Sequence, residues 1–484
     1  MNDPSLRTSA GSSPTNAQYP LRNCANPEAS FRLPDHALSV IDALEGDGHE
    51  AWCVGGFVRD SLLGRPTNDV DIATSAPWGE VARSCTARGM RVHETGTKHG
   101  TVTVCPRPDD HVGIEVTTYR TEDAYSDGRH PDTVRFITSI EEDLIRRDFT
   151  INALAYNPKR GLIDPFGGVD DLRARIIRTV GDPARRFSED ALRILRGCRF
   201  RSQLGFSIDA DAYQAMTECK HMLCSVSAER IEAELSKLLM GEFAHDALMD
   251  TVDVLSFVLP ELVAMKGYEQ DTKYHVYDVL EHTAYVVQNS PREKLLRWTA
   301  LFHDMGKPAA GFHTPDGVGH FYRHASISAV LAQSVMTRLK MSPRFQDDAL
   351  ALILHHDDVI AHTPKSIHKA VANLGKPELF PALCELKAAD ALSQAPFCKP
   401  RADEAAALLR LFEDMRRQST AFSVRDLAVS GRDIIALGIE QGPLVGDVLE
   451  ELLSHVIDGK SENDREDLMA LARQLIDGKR SSDA

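Results

Sequence analysis

No apolar run in the chain approaches the roughly 20 residues that span a bilayer. The first thirty residues, rich in Ser, Pro, Asn and Arg, lack the apolar stretch of a secretory leader. Both absences point to the cytoplasm, with no membrane as partner. The nine cysteines are scattered, odd in number and never spaced as Cys-x-x-Cys, so neither a disulfide framework nor a thiolate zinc site is indicated. They read as reduced, mostly buried small hydrophobes. Internal repeats and sustained heptads are also missing, which leaves no basis for a solenoid or a coiled coil. Basic charge is scarce: the net charge of −16 argues against indiscriminate nucleic-acid binding, which needs clustered Lys and Arg. One stretch is different. From Arg135 to Arg201, fourteen Lys and Arg outnumber ten Asp and Glu, so a polyanion should dock there first.

What remains is a globular chain of 484 residues, 43% hydrophobic, long enough for about two to four domains. Residues 1–32 read as a disordered tail. From 33 to 160 the pattern mixes helix and strand: "HALSVIDALEGDG" is an amphipathic helix ending in glycine, and "EAWCVGG", "DVDIAT", "GTVTVCP" and "GIEVTTYR" are strands. After "GLIDPFGGVDDL" the strand signals vanish. Apolar residues recur at helical spacing near 188–204, 227–240, 292–305, 344–356 and 445–457. Pro and Gly in "VLPELVAMKGY" and "APFCKPR" suggest joints, giving helical regions at 161–265, 266–395 and 396–484. The expected fold class is an α+β head with a small mixed sheet, followed by all-α regions.

Within the head, "VGGFVRDSLLGRPTNDVDIAT" carries two glycines, an arginine and then two aspartates one residue apart. Asp69 and Asp71, read as i and i+2 of a strand, present two carboxylates on one side. Like charges in one site conflict, and a hard divalent ion such as magnesium resolves the conflict by taking oxygens from both. Glu115, in a neighbouring strand, is a candidate third carboxylate. Gly55 and Gly56 permit a tight turn and a close approach to a ligand, and Arg59 lies where phosphate oxygens would be welcome. This combination suits phosphoryl or nucleotidyl transfer.

Together with "EEDLIRRDFTINALAYNP", "IDPFGGVDDL" and "VGDPARRFSEDALRILRGCRFRSQLGF", this segment resembles, in order and spacing, the motifs of class II tRNA nucleotidyltransferases, the CCA-adding enzymes, and their poly(A) polymerase relatives. Phe57 is bulkier than the small residue that the resemblance leads one to expect. The resemblance implies a polymerase-beta-like head, a nucleotide-selecting and tRNA-binding neck, and tRNA, CTP and ATP as partners. It also implies that Arg147 binds nucleotide, with Asp148 and Asn152 near the sugar or holding the loop. Asp190 and Arg193, three apart and expected on one helix face, then match the pair that templates the incoming base, with Arg196 and Arg199 continuing at the same interval as further nucleotide-binding candidates. Arg supplies a planar fork of donors and Asp supplies acceptors, which suits both cytosine and adenine edges. A surface ion-pair ladder on an amphipathic helix would have the same spacing. Residues 118–136 resemble the loop of members that complete all three positions.

The region from 275 to 390 is rich in His and Asp at helical positions, as in "HVYDVLEHT", "WTALFHDMGKP", "FYRHAS" and "LILHHDD". His303 and Asp304 end an apolar helix, where packing alone would not choose them. Histidine and carboxylate suit a divalent metal of unspecified identity. The pattern resembles the HD phosphohydrolases, with His282, His303, Asp304 and Asp390 matching the four-ligand signature. His324, His355 and His356 are the kind of extra ligand found in two-metal members, and His275 has no role assigned. The leading function is metal-dependent addition of CCA to tRNA 3′ ends. Alternatives are a poly(A) polymerase or partial enzyme on the same scaffold, an HD phosphohydrolase whose front half binds RNA, and a nucleotide-sensing module without turnover.

Overall fold

The computed structural model describes residues 32–67, 69–107, 113–123, 133–417, 421–422, 424–457 and 460–482. The expected tail up to residue 31, and residues 124–132 of the loop at 118–136, lie outside them. The described chain forms two compact units: residues up to Ile194 with Phe206–Ser225, and Leu195–Gly205 with Val226 onward. This division is coarser than the five regions expected. Among the described residues no helix is long and apolar enough to cross a membrane.

The first unit is built on strands β1 (Ala51–Val54), β2 (Asp71–Thr74), β3 (Arg91–Gly96), β4 (Thr101–Cys105), β5 (Ile114–Thr118), β6 (Arg120–Asp123), β7 (Thr133–Phe136), β8 (Ala155–Asn157), β9 (Gly161–Ile163), β10 (Ile176–Ile177) and β11 (Ser207–Ile208). Seven of them form one mixed sheet in the order β3-β4-β5-β2-β1-β8-β9. Only β2 and β5 pair in parallel within it. Helices α1 (Asp35–Gly46), α2 (Gly56–Leu62), α3 (Trp78–Ala87), α4 (Ile140–Ile145), α5 (Gly168–Ala174) and α6 (Pro183–Glu189) accompany the strands. α1 buries Ala37, Val40, Ile41 and Leu44, the i, i+3, i+4, i+7 stripe of an amphipathic helix, and the chain leaves it through Gly48 at φ +87°. Trp52, Val54, Ala73, Ile140, Leu144 and Ala155 close a core around the centre of the sheet, and Phe57 is also buried.

Register is what places the candidate chemistry. Val54 of β1 stands across from Asp71 of β2, and Asp71 stands beside Glu115 of β5. The sequence expectation errs by two residues here: β2 begins at Asp71, and Asp69 precedes it. β1 ends at Val54 and turns at Gly55 into α2, so no strand remains opposite residue 69 to extend the ladder.

α7 (Leu192–Leu204) follows a junction after α6, and α8 (Ala210–Cys219) completes the first unit. Beyond it the second unit is helical, with α9 (Ala228–Leu239), α10 (Ala244–Leu255), α11 (Glu261–Met265), α12 (Val279–Asn289), α13 (Lys294–Phe302), α14 (Lys307–Ala310), α15 (His324–Arg338), α16 (Pro343–His355), α17 (Pro364–Leu374) and α18 (Leu379–Leu392) leading into four further helices. A two-residue hairpin of β12 (Phe312–His313) and β13 (Gly319–His320) interrupts them. α12, α13, α16 and α18 pack on one another.

Buried Arg297 on α13 ties this packing together without any carboxylate. Its guanidinium donates to the carbonyls of Leu239 (2.8 Å), Ser290 (3.0 Å) and Gln288 (3.3 Å), oxygens that the ends of α9 and α12 leave unpaired. Burial lowers its pKa to about 10, and it stays charged. Replacing the fork by a neutral chain strands those carbonyls. Arg297→Met is expected to cost about 2–4 kcal/mol, read as a lower urea midpoint at unchanged m-value.

Candidate active site and metal centre

In the first unit the turn at Gly55 sets the geometry. Gly55 adopts φ +69°, and a Cβ placed there would meet Arg147 Nη1 at 2.9 Å. The position therefore needs glycine twice, for its backbone and for the guanidinium beside it. Arg147 is held by Asp143, whose carboxylate lies 3.6 Å from Arg147 and 2.9 Å from Arg146. Burial alone would raise the pKa of Asp143, but the two arginines keep it below the ordinary range. Asp143 was not singled out from sequence, although its i+3 and i+4 spacing to Arg146 and Arg147 is legible in "EEDLIRRDF".

Asp71 is exposed at the start of β2, with other charged side chains close by. Its pKa is pushed up to about 6, by desolvation first and then by the negative charge of Asp69, with Glu115 adding and Arg147 opposing. That unrelieved repulsion between carboxylates is the feature a divalent cation would remove. Among the described residues, Asp69, Asp71 and Glu115 do not form a trio with oxygens within 4.8 Å of one another, so Glu115 stands beside Asp71 without completing a cage.

Other expected residues do different work. Arg59 is buried and donates to Asp60 (2.8 and 2.9 Å) and to Asn152 Oδ1 (2.6 Å). Asp148 Oδ1 accepts from Phe149 N (2.8 Å) and Asn152 Nδ2 (3.2 Å). Arg59, Asn152 and Asp148 thus brace the loop that carries Arg147. Asp190 is not on the helix face expected for it. It lies in extended conformation between α6 and α7, its carboxylate accepting from Leu192 N (3.0 Å), the local bond by which Asp competes with helix. Arg193 opens α7 and donates to Glu189 (2.8 Å) and to the carbonyls of Arg186 (3.0 Å) and Arg146 (2.9 Å). In the second unit Arg199 is buried against Glu234 (2.9 Å) with its guanidinium over Phe200, which commits it to structure, while half-buried Arg196 lies over the same ring at 5.7 Å.

The second unit gathers His282 of α12, His303 and Asp304 after α13, His324 at the start of α15, His356 after α16 and Asp390 of α18. Asp304 is the hub. Its Oδ2 lies 3.1 Å from His303 Nε2 and 3.3 Å from His282 Nε2, and its Oδ1 lies 3.4 Å from His324 Nε2. His282 Nε2 also lies 3.1 Å from Asp390. Each imidazole is aimed by the backbone: Nδ1 of His303, His324 and His356 meets the carbonyls of Ala300 (2.7 Å), Phe321 (2.9 Å) and Ile353 (2.7 Å), and that of His282 meets Ser393 O (3.3 Å). Occupying Nδ1 leaves Nε2 as the ligand atom.

Two trios result, His282–His303–Asp304 and Asp304–His324–His356, sharing Asp304. His282 Nε2, His303 Nε2 and Asp304 Oδ1 are buried and, despite these short separations, make no well-aligned hydrogen bond, an arrangement that a metal ion satisfies and solvent does not. Burial works against charge on His282, yet Asp304 and Asp390 hold its pKa up at about 9. His355 is a correction to the sequence expectation: among the described residues it joins neither trio, and its Nδ1 pairs with Asp358 (2.8 Å), three residues on. His275, assigned nothing from sequence, stacks edge-on to His282 at 4.8 Å and reaches Lys307 Nζ at 3.4 Å.

Comparison with known proteins decides the family. Residues 51–178 match the poly A polymerase head domain, 205–265 the probable RNA and SrmB-binding site of polymerase A, 272–395 the HD domain and 386–472 the second tRNA nucleotidyltransferase domain. The chain is 33% identical to the CCA-adding enzyme of Levilactobacillus brevis across 90% of its own length and 96% of that protein. It is 35% identical to that of Geobacillus thermodenitrificans across 90% and 95%. This chain belongs to the CCA-adding enzymes. It is similar to the crystal structure of the Bacillus stearothermophilus CCA-adding enzyme in complex with CTP, with a TM-score of 0.66 and 31% identity over 93% of this chain and 98% of that one. The α+β nucleotidyltransferase head and helical remainder agree with the class expected from sequence. Heads and HD domains of these kinds generally use divalent metals.

Because Asp304 serves both trios, its loss and the loss of one imidazole should differ. In equilibrium dialysis with manganese, Asp304→Asn is expected to remove all uptake by this cluster, and His356→Ala only part of it.

Proposed function

We propose that this chain completes the 3′ end of tRNA in the cytoplasm, adding C, C and A from CTP and ATP without a nucleic-acid template. The observation that carries the reading is the convergence of the Gly55 turn, Arg147 and the repelling carboxylates Asp69 and Asp71 at one end of β2, in a member of the CCA-adding enzymes. The tRNA 3′ oxygen forms a bond to the α-phosphorus, the α–β phosphoanhydride bond breaks, and pyrophosphate leaves. Asp69 and Asp71 would hold magnesium, which when bound supplies charge stabilisation to the attacking and leaving oxygens. Gly55 and Gly56 let the triphosphate approach the backbone, and Arg147 supplies fixed positive charge in a setting where it is braced before substrate arrives. Asp190, and Arg193 anchored by Glu189 and by the carbonyl preceding Arg147, present acceptors and donors to the base edge. Transfer RNA is held by shape and backbone, since A-form duplex offers little sequence to read.

In the second unit, His282, His303, Asp304 and Asp390, with His324 and His356, would hold divalent ions, which when bound supply Lewis-acid activation for hydrolysis of a phosphate ester. Lys307, buried with Nζ bonded to Gln270 Oε1 at 2.8 Å, is a fixed cation beside them.

Purified protein given tRNA that lacks its terminal CCA, with CTP and ATP, is expected to add three nucleotides and stop. A homopolymer of A without C would overturn the reading in favour of a poly(A) polymerase. Asp71→Ala should lower incorporation by at least about a hundredfold. Gly55→Ala displaces Arg147, and steady-state kinetics should show KM for both nucleotides raised by about tenfold, the value of one charge-assisted contact.

A further inference from the structure

α18 reads "LFPALCELKAADAL", and its lysine stands where packing alone would not choose one. Leu383 and Cys384 on the preceding turn share a buried core with Leu352 of α16, so apolar contact already fixes the two helices against each other. Lys387 is half-buried beside that core, and burial works against its charge. Its Nζ donates to two main-chain oxygens just past α16, those of His356 (2.7 Å) and Asp358 (2.8 Å).

A cation that caps the carbonyls at a helix end is ordinary. Two further contacts set this cap apart. The His356 ring, bonded through Nδ1 to Ile353 O (2.7 Å), turns its Nε2 to within 3.1 Å of His324 Nε2 and 3.9 Å of Asp304 Oδ1. His355 Nδ1 meets Asp358 Oδ2 (2.8 Å), which closes the turn 355–358 on itself. Lys387 therefore fixes that turn as a unit to α18, and with it the main chain from which the His356 ring projects. One helical turn further on, α18 carries Asp390, 3.1 Å from His282 Nε2. The same helix thus supplies a candidate ligand to one side of the cluster and holds the ring on the other.

We propose that Lys387 is a positioning residue for the second trio: by holding the carbonyls of His356 and Asp358 it keeps His356 aimed at Asp304, so that Asp304, His324 and His356 take up a divalent ion that they would otherwise bind weakly. This rests on the metal reading above. Partners of this outer kind contribute about ten- to a hundredfold to metal affinity.

The manganese uptake that Asp304→Asn abolishes, measured by equilibrium dialysis of the full chain, is that of the cluster, and in the wild type it should comprise two ions. Lys387→Met is expected to weaken one of them about tenfold or more and to leave the other unchanged, whereas Lys387→Arg, which keeps the donors, should retain both. In a His356→Ala background, Lys387→Met should alter uptake no further, since its route is through that ring. Urea midpoints separate a mere helix cap from a positioning role. A lower midpoint with both ions still bound at wild-type affinity would overturn the proposal, as would a further loss of uptake in the His356→Ala background or a single ion in the wild type. Should Lys387→Met not fold, Lys387→Gln, uncharged and shorter than lysine, is expected to show the same loss, and unchanged uptake by it would overturn the proposal equally. No uptake by the wild type would defeat the metal reading itself, and the positioning role with it.

Discussion

Carboxylates crowded against one another or against imidazoles, and kept there by backbone geometry, are the constraint on which both candidate sites depend. Asp71 cannot move away from Asp69 and Glu115, because its own strand is paired on one side with β1 and on the other with β5. Asp304 cannot move away from the histidines, because hydrogen bonds to main-chain carbonyls hold each ring. In both places the fold supplies an electrostatic demand that side-chain rearrangement cannot relieve. Cation binding then costs little reorganisation.

Around these centres the remaining polar residues divide into those that face substrate and those that brace. Arg147 stands beside the Gly55 turn, whereas Arg59, Asn152 and Asp148 hold the loop behind it. Arg193 links the α6–α7 junction to the carbonyl before Arg147, so the residue proposed to read the base is hydrogen-bonded to the residue that precedes the one proposed to hold the phosphates. A change in one should be felt by the other. Their effects on nucleotide choice and nucleotide affinity will therefore not be additive.

Much of this was legible in the chain itself. Helical periodicity located α1, α9, α13, α16 and α21 (Pro443–Ile457), and the alternation in "DVDIAT" located β2. Motif order marks out the head and the histidine-rich region. What escaped depends on contacts between distant residues. Nothing local says that β1 stops at Val54 and leaves Asp69 outside the ladder, that Glu234 takes up Arg199, or that Asp358 draws His355 aside while His356 joins Asp304. Short strands β8 and β9 carry too few residues for periodicity to register. His275 escaped because its neighbours Lys307 and His282 are brought to it only by the packing of the helices.

Arg297 has a consequence for how the second unit meets acid. A salt bridge dissolves when its carboxylate takes up a proton, but the carbonyls that surround Arg297 have nothing to titrate. What Arg297 contributes to the joint among α9, α12 and α13 is thus insulated from acidity, and souring the medium should act on carboxylate pairs before it parts the guanidinium from those carbonyls.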